Sequence, residues 1–381
     1  MKFNNFAFLI VFGALLTITS CKDDDEPGVI PFSEAVENYN KIVYASYEDS
    51  YNTALELKAA IDAFVANPTE VGYDDCKSKW KAARIPYGQT EAYRFYGGPI
   101  DDDDGPEGLI NAWPMDESFI DYVQGNVDGG LINDPVTYPV ISKQVLLDLN
   151  ESISETSIFT GYHAIEFLLW GQDFSADGPG SRPYTDFVDG GTAANQDRRR
   201  EYLVVVTDLL LENLQEVLNE WTPTGAYRTA FSALDYKVSL GKVFTALGEL
   251  SKGELAGERM FVAVDSKDQE DEHSCFSDNT HIDIQMNYQG IKNVYFGTYT
   301  RTDGSLVSGT SLNTLAMLAD DTKAKAANDA FVAVDAAMVD LPVPFDQGIV
   351  NSEEEILPII EALRDLSDRL ADVGVALEVE F

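Results

Sequence analysis

The run from residue 32 to 66 restricts the fold more than any other feature. Its apolar side chains recur every third or fourth position, and it contains neither Gly nor Pro. That period specifies an amphipathic helix of many turns, whose apolar face has to be covered by other helices. The same pattern returns in 195–222, 226–260, 281–298, 306–341 and 352–377, with a bend expected at Pro358. Residues 73–95 also read as helical, with a kink or break expected at Pro86 and Gly88. Residues 97–138 are rich in turn residues around a short helix near 116–123. No run of alternating strands is evident, and only the closing "GVALEVEF" hints at one. The expectation is an all-α chain of two helical-bundle halves, 32–190 and 195–381, each opening on a long amphipathic helix. An ancient duplication would explain that arrangement, although no repeat is visible at the level of single residues. The boundary is placed by the Gly- and Pro-rich stretches "DGPGSRPY" and "DGGTAANQ".

The charge narrows the partners. Asp and Glu total 65 against 26 Lys and Arg, for a formal net charge of −39. Phosphate contacts need clustered Lys and Arg, so a nucleic-acid partner is excluded. The acidity serves solubility, or a field that gathers cations.

At the N-terminus, Lys2, an apolar run from Phe6 to Leu16 and a small, polar stretch ending at Cys21 have the layout of a signal peptide over residues 1–20. "LTITSC" resembles the cleavage motif of bacterial lipoproteins. The resemblance implies lipidation of Cys21 and a flexible tether over 21–31, "CKDDDEPGVIP". The expected location is the bacterial cell envelope, anchored at the outer membrane and either periplasmic or surface-exposed, with membrane contact through the lipid alone. Cys76 and Cys275 then remain. They are read as two buried thiols, with one disulfide as the alternative.

The chemistry centres on "FTGYHAIEFLLWGQD", residues 159–173, a helix apolar on most sides that nonetheless carries His163 and Glu166 three residues apart. A buried carboxylate needs a cation, a donor or a proton. Either the two side chains satisfy each other, or both coordinate one metal ion from positions i and i+3. Two ligands do not complete a zinc or iron site, and HExxH is absent. Arg84, Tyr87, Glu91 and Arg94 would form a polar stripe if the helix survives Pro86. "DDDD" at 101–104 fails the EF-hand template and reads as a solvated loop. "DQEDEHSCFSDNTH", 268–281, reads as a loop entering a helix, with Thr280 and Asp283 spaced as a capping box. His273, Cys275 and His281 of that loop form a weaker soft-metal alternative.

"GYHAIEFLLWG" has the form G-x-H-x-x-E and resembles the imelysin family, with Gly161, His163 and Glu166 at the marked positions. "WKAARIPYGQTEAYRFYGGPID", followed by "WPMDESFIDYV", and the block from Gly257 to Tyr299 resemble the same family, in the same order. The resemblance implies two helical halves with a site near their interface, in envelope proteins associated with iron uptake and also classed as metallopeptidases. It implies metal ligation by His163 and Glu166. It brings Glu91, Arg94, Glu270, Ser274 and Asp278 toward the same site, with Arg94 pairing Glu166 or an anionic ligand. The expected cargo is a metal ion, iron ahead of zinc, or a small iron-bearing ligand passed among envelope uptake proteins. A surface metallopeptidase and a metal-free scaffold are the alternatives. A peptidase would need a third protein ligand and a general base; a glutamate such as Glu91 or Glu270 could be the base, but no clear second histidine ligand is supplied from a helix.

Overall fold

The computed structural model describes residues 30–175 and 178–381. The leader, Cys21 and the tether as far as residue 29 lie outside the described residues. The long run at the start is helix α1 (Phe32–Ala66), which buries Val43, Tyr47, Ala54, Leu57, Ile61 and Phe64 along one side. Helix α2 (Glu70–Thr90) starts at Thr69, whose hydroxyl accepts from the Gly72 amide at 3.2 Å. It continues through Pro86 rather than ending there. Helices α1, α10 and α5 pack on it, and this packing outweighs the lost backbone bond, a local cost of about 3 kcal/mol.

Short helices α3 (Glu107–Ile110) and α4 (Lys143–Leu149) punctuate the loop-rich stretch, where a 3-10 turn at Glu117–Phe119 replaces the expected helix near 116–123. Then come α5 (Gly161–Trp170), α6 (Gln196–Trp221), α7 (Ala226–Ser232) and α8 (Tyr236–Glu249). A π-helix, Leu250–Phe261, follows directly, and α9 (Val262–Ser266) extends it. Helix α10 (Thr280–Phe296) leads into a hairpin of β1 (Thr298–Thr300) and β2 (Leu306–Ser308), paired antiparallel with Thr298 opposite Ser308. The stretch read as one helix over 306–341 is thus a strand followed by α11 (Leu312–Ala319) and α12 (Asp321–Ala337). Asp320 separates these two helices, its carboxylate accepting from the Thr322 and Lys323 amides. Last come α13 (Phe345–Asn351) and α14 (Glu353–Ala376). The final residues are not a strand. Helix continues to Ala376, and the tail is held by the Glu380 amide donating to the Lys237 carbonyl at 3.0 Å.

The fold is all-α apart from this hairpin, among the described residues. One set of contacts joins α1, α2, α5 and α6, and another joins α8, the π-helix, α12 and α14. Helix α10 touches both α2 and the π-helix, and Pro31–Phe381 cluster as one unit. The α2–α10 crossing is close because glycines line it: a Cβ on Gly88 would lie 2.9 Å from the Met286 Cβ, and one on Gly290 would overlap the Gln89 carbonyl. Asn287 fastens the crossing by donating to the Gly88 carbonyl at 2.9 Å. No helix among the described residues is long and apolar enough to cross a membrane.

Candidate functional site

Helix α5 is buried at all ten of its positions, so every polar group in it needs a partner. Its first residue, Gly161, has φ +82°, and a Cβ there would overlap the Ile110 carbonyl. The glycine of G-x-H-x-x-E is therefore required by the backbone. At the other end, Gly171 turns the chain away with φ +71°, and the Tyr73 hydroxyl donates to the last-turn Leu169 carbonyl at 2.5 Å.

His163 Nδ1 and Glu166 Oε2 lie 2.9 Å apart, both fully buried. The other Glu166 oxygen accepts from the Ser277 amide at 3.0 Å and the Ser277 hydroxyl at 2.6 Å. Burial pushes the Glu166 carboxyl up to about 8, against the lowering effect of Ser277 and Arg84. Burial, with His273 and Arg84, holds the His163 imidazolium form well below its ordinary range, so the ring is neutral. Its Nε2 has no hydrogen-bonding partner among the described residues. Glu166 thus fixes the ring by Nδ1: while protonated it donates to Nδ1 and leaves an N–H at Nε2, and on loss of that proton the carboxylate accepts from Nδ1–H and frees Nε2, which is how a carboxylate orients a ligating histidine.

A second imidazole lies against the first. The ring centroids of His163 and His273 are 4.7 Å apart and nearly perpendicular, and Trp113 covers His163 at 4.9 Å. His273 Nδ1 is 3.2 Å from Asp283 Oδ2, which also accepts from the Ser274 hydroxyl at 2.5 Å. Arg84 Nε donates to the other Asp283 oxygen at 3.2 Å, and its Nη1 donates to Asn111 Oδ1. Burial, with Arg259, lowers His273 to about 4, while Arg84 and His273 keep Asp283 ionised far below the usual carboxylate range despite its burial. Asp283 therefore serves Arg84 and His273 instead of forming the expected capping box, and the Thr280 hydroxyl accepts from the Ser274 amide.

His273 reaches a cleft of about 340 Å³ lined by Arg94, Glu107, Asn111, Trp113, Pro114, Glu151, Glu254, Glu258, Arg259 and Asp271, among others. Both arginines are already engaged. Glu91 Oε2 accepts from Arg94 at 2.7 Å and from Arg259 at 2.8 Å. Arg94 also pairs Glu107 at 3.1 Å, and Arg259 pairs Glu254 at 2.9 Å. The two guanidiniums draw Glu91 down to about 2, overcoming its burial. Glu254 and Arg259 are five residues apart. The i→i+5 bonding of the π-helix brings such residues together, and π segments occur frequently at functional sites.

Several expected site residues meet here. His163, Glu166, Glu91, Arg94 and, through Asp283, Ser274 belong to one connected network. Arg94 pairs Glu91 and Glu107, and Arg84 is the guanidinium that acts on Glu166. Glu270 and Asp278 do not line the cleft. Burial first raises both to about 7, helped at Glu270 by the charges of Glu117, Asp268 and Asp173 and at Asp278 by those of Asp346 and Asp173. Cys76 and Cys275 are buried free thiols. No three His, Cys, Asp or Glu side chains converge to hold an ion among the described residues. In the sequence His273 reads as part of a loop, with a soft-metal site beside Cys275 and His281 as the weaker alternative, Trp113 is marked only by the resemblance, and Asn111 and Glu254 carry no mark. The resemblance blocks carried the signal for the partners: one contains Arg84, one opens on Trp113, and one contains His273, Arg259 and Asp283.

Comparison with known proteins finds relatives that share this fold. The iron-regulated protein A of Synechococcus elongatus is 24% identical over 343 residues, covering 87% of this chain and 82% of that protein. A Parabacteroides distasonis crystal structure, described as an iron-regulated protein A precursor, superposes with a TM-score of 0.69 at 21% identity, covering 92% of this chain and 97% of that one. An imelysin-like protein from Psychrobacter arcticus 273-4 gives a TM-score of 0.56 at 13% identity, covering 91% and 93%. Residues 43–372 match the imelysin family, peptidase M75, and the chain belongs to that family.

Proposed function

We propose that this protein is a lipid-anchored binding protein of the bacterial envelope whose cargo is a metal cation, iron foremost, or a compact iron-bearing ligand destined for uptake. The observation that carries the reading is the unpartnered Nε2 of a fully buried, neutral His163, oriented by Glu166 next to an acidic cleft. Glu107, Glu151, Glu254, Glu258 and Asp271 line that cleft, while both of its arginines are bound to Glu91. Its free charge is therefore negative, which attracts a cation and disfavours a bare anion. Imidazole suits iron, zinc and copper better than it suits calcium or magnesium. The side chains here supply few donors, so water or the cargo's own ligand would complete the coordination. The iron-regulated names of the relatives point the same way.

Hydrolysis is less well supported. His163 and Glu166 have no exposed surface and lie behind Trp113, out of reach of a polypeptide's scissile bond. The test is elemental analysis and metal titration of the purified protein beside its His163→Ala variant. About one equivalent of metal in the wild type, lost in a variant of unchanged helical content, is expected. Equal metal content in the two proteins would remove His163 from the site. No stoichiometric metal in either would leave the pair as a packing feature.

A further inference from the structure

We propose that His273 is the second protein donor to the cargo ion, so that two imidazoles from sequence-distant segments hold it; this rests on the binding reading above. The two histidines are built alike. Each ring turns Nδ1 to a buried carboxylate, at 2.9 Å for His163 with Glu166 and 3.2 Å for His273 with Asp283. Each carboxylate is fixed in turn, Glu166 by Ser277 and Asp283 by Arg84 and Ser274. This is the outer-shell support that sets the tautomer of a ligating histidine and leaves Nε2 for the metal.

The remaining nitrogens are weakly held or free. Among the described residues His163 Nε2 has no partner, and His273 Nε2 has only the Asn111 amide at 3.4 Å, well beyond the ordinary distance for an N–H donor. An arriving ion displaces little from either. The positions also give an order of entry. His273 lines the cleft, whereas His163 lies in contact behind it, so an ion from solvent meets His273 first. The arginines nearest the pair do not bar a cation, because Arg84 is paired with Asp283 and Arg259 with Glu91 and Glu254. A two-imidazole site selects borderline first-row ions, such as ferrous iron, zinc or copper, over hard alkaline-earth ions.

The chain contains three histidines, so nitrogen counting identifies the donors. Untagged full-chain protein is loaded with one equivalent of copper(II), and the coupled imidazoles are counted by pulsed electron paramagnetic resonance. The same measurement is made on His273→Gln, His163→Gln and, as control, His281→Gln. Two imidazoles in the wild type and in His281→Gln, one in each of the other variants, and at least a tenfold loss of affinity in those two are expected. Millimolar calcium should not compete, and zinc should. One imidazole in the wild type overturns the inference without recourse to any variant. So does an unchanged count and affinity in His273→Gln, which leaves the His163 reading standing. Failure of the wild type to take up copper(II), iron or zinc stoichiometrically overturns both.

Discussion

At the scale of single residues, the buried pair on α5 makes stability depend on pH in a way that exposed residues do not. The Glu166 carboxyl titrates at about 8 in the folded chain, against an ordinary 4.5. Between those values the folded state keeps a proton that the unfolded state has released. Its contribution is therefore full below about 4.5 and is lost as pH climbs through 8. His273 acts on the acid side: its folded value of about 4 against 6.5 means that the unfolded chain takes up the proton first as pH falls. Replacing Glu166 with Gln removes the alkaline-side loss. Relative to metal-free wild type, Glu166→Gln should gain more than about 1 kcal/mol between pH 5 and pH 8.5 in urea unfolding. A difference that stays flat across that range would contradict the assignment. His163 and Glu166 were legible in the sequence because ionisable groups in an apolar helix demand an explanation. Asn111 was not, since an amide in a turn-rich stretch is ordinary until the fold sets it beside a histidine, and Trp113 was marked only by the resemblance.

At the scale of elements, the start of α5 is the most exacting piece of backbone. Gly161 combines a left-handed conformation with contact on the Ile110 carbonyl. Gly161→Ala should cost at least about 2 kcal/mol, from left-handed strain alone of about 1–2 kcal/mol plus the displacement of α3 or α5. The urea midpoint is the check, and metal affinity should fall with it because His163 moves with the helix. Most helices could be read from periodicity, since burial of one face leaves a period in the sequence. What could not be read is where tertiary packing overrides a local rule. Helix α2 passes through Pro86 because three helices hold it, and the Leu250–Phe261 segment takes the π form, which its apolar pattern does not distinguish from α. The terminal "GVALEVEF" has strand-like residues but stays helical as far as Ala376, where it packs as part of α14.

At the scale of the whole molecule, charge dominates. A chain with a formal net charge of −39 repels itself, and unfolding relieves part of that repulsion. Salt screens it over a Debye length of about 10 Å at 0.1 M. Raising sodium chloride from 10 to 300 mM should therefore raise the calorimetric Tm by several degrees, and a fall would mean that surface ion pairs outweigh the net repulsion. The all-helical class was legible from the absence of alternating strands. The meeting of α2, α10 and the π-helix was not, because close crossings at Gly88 and Gly290 depend on what each glycine faces and not on its neighbours in sequence.

The sharing of Glu91 between two arginines has an evolutionary consequence. Both guanidiniums use the same carboxylate oxygen, yet each has a second acid, Glu107 for Arg94 and Glu254 for Arg259. Loss of either second acid leaves its arginine dependent on Glu91 alone, and loss of Glu91 afterwards strands a buried cation, a change of the most costly kind. The order in which substitutions arise therefore matters. A substitution at position 91 costs less while both flanking acids remain than after either has been lost.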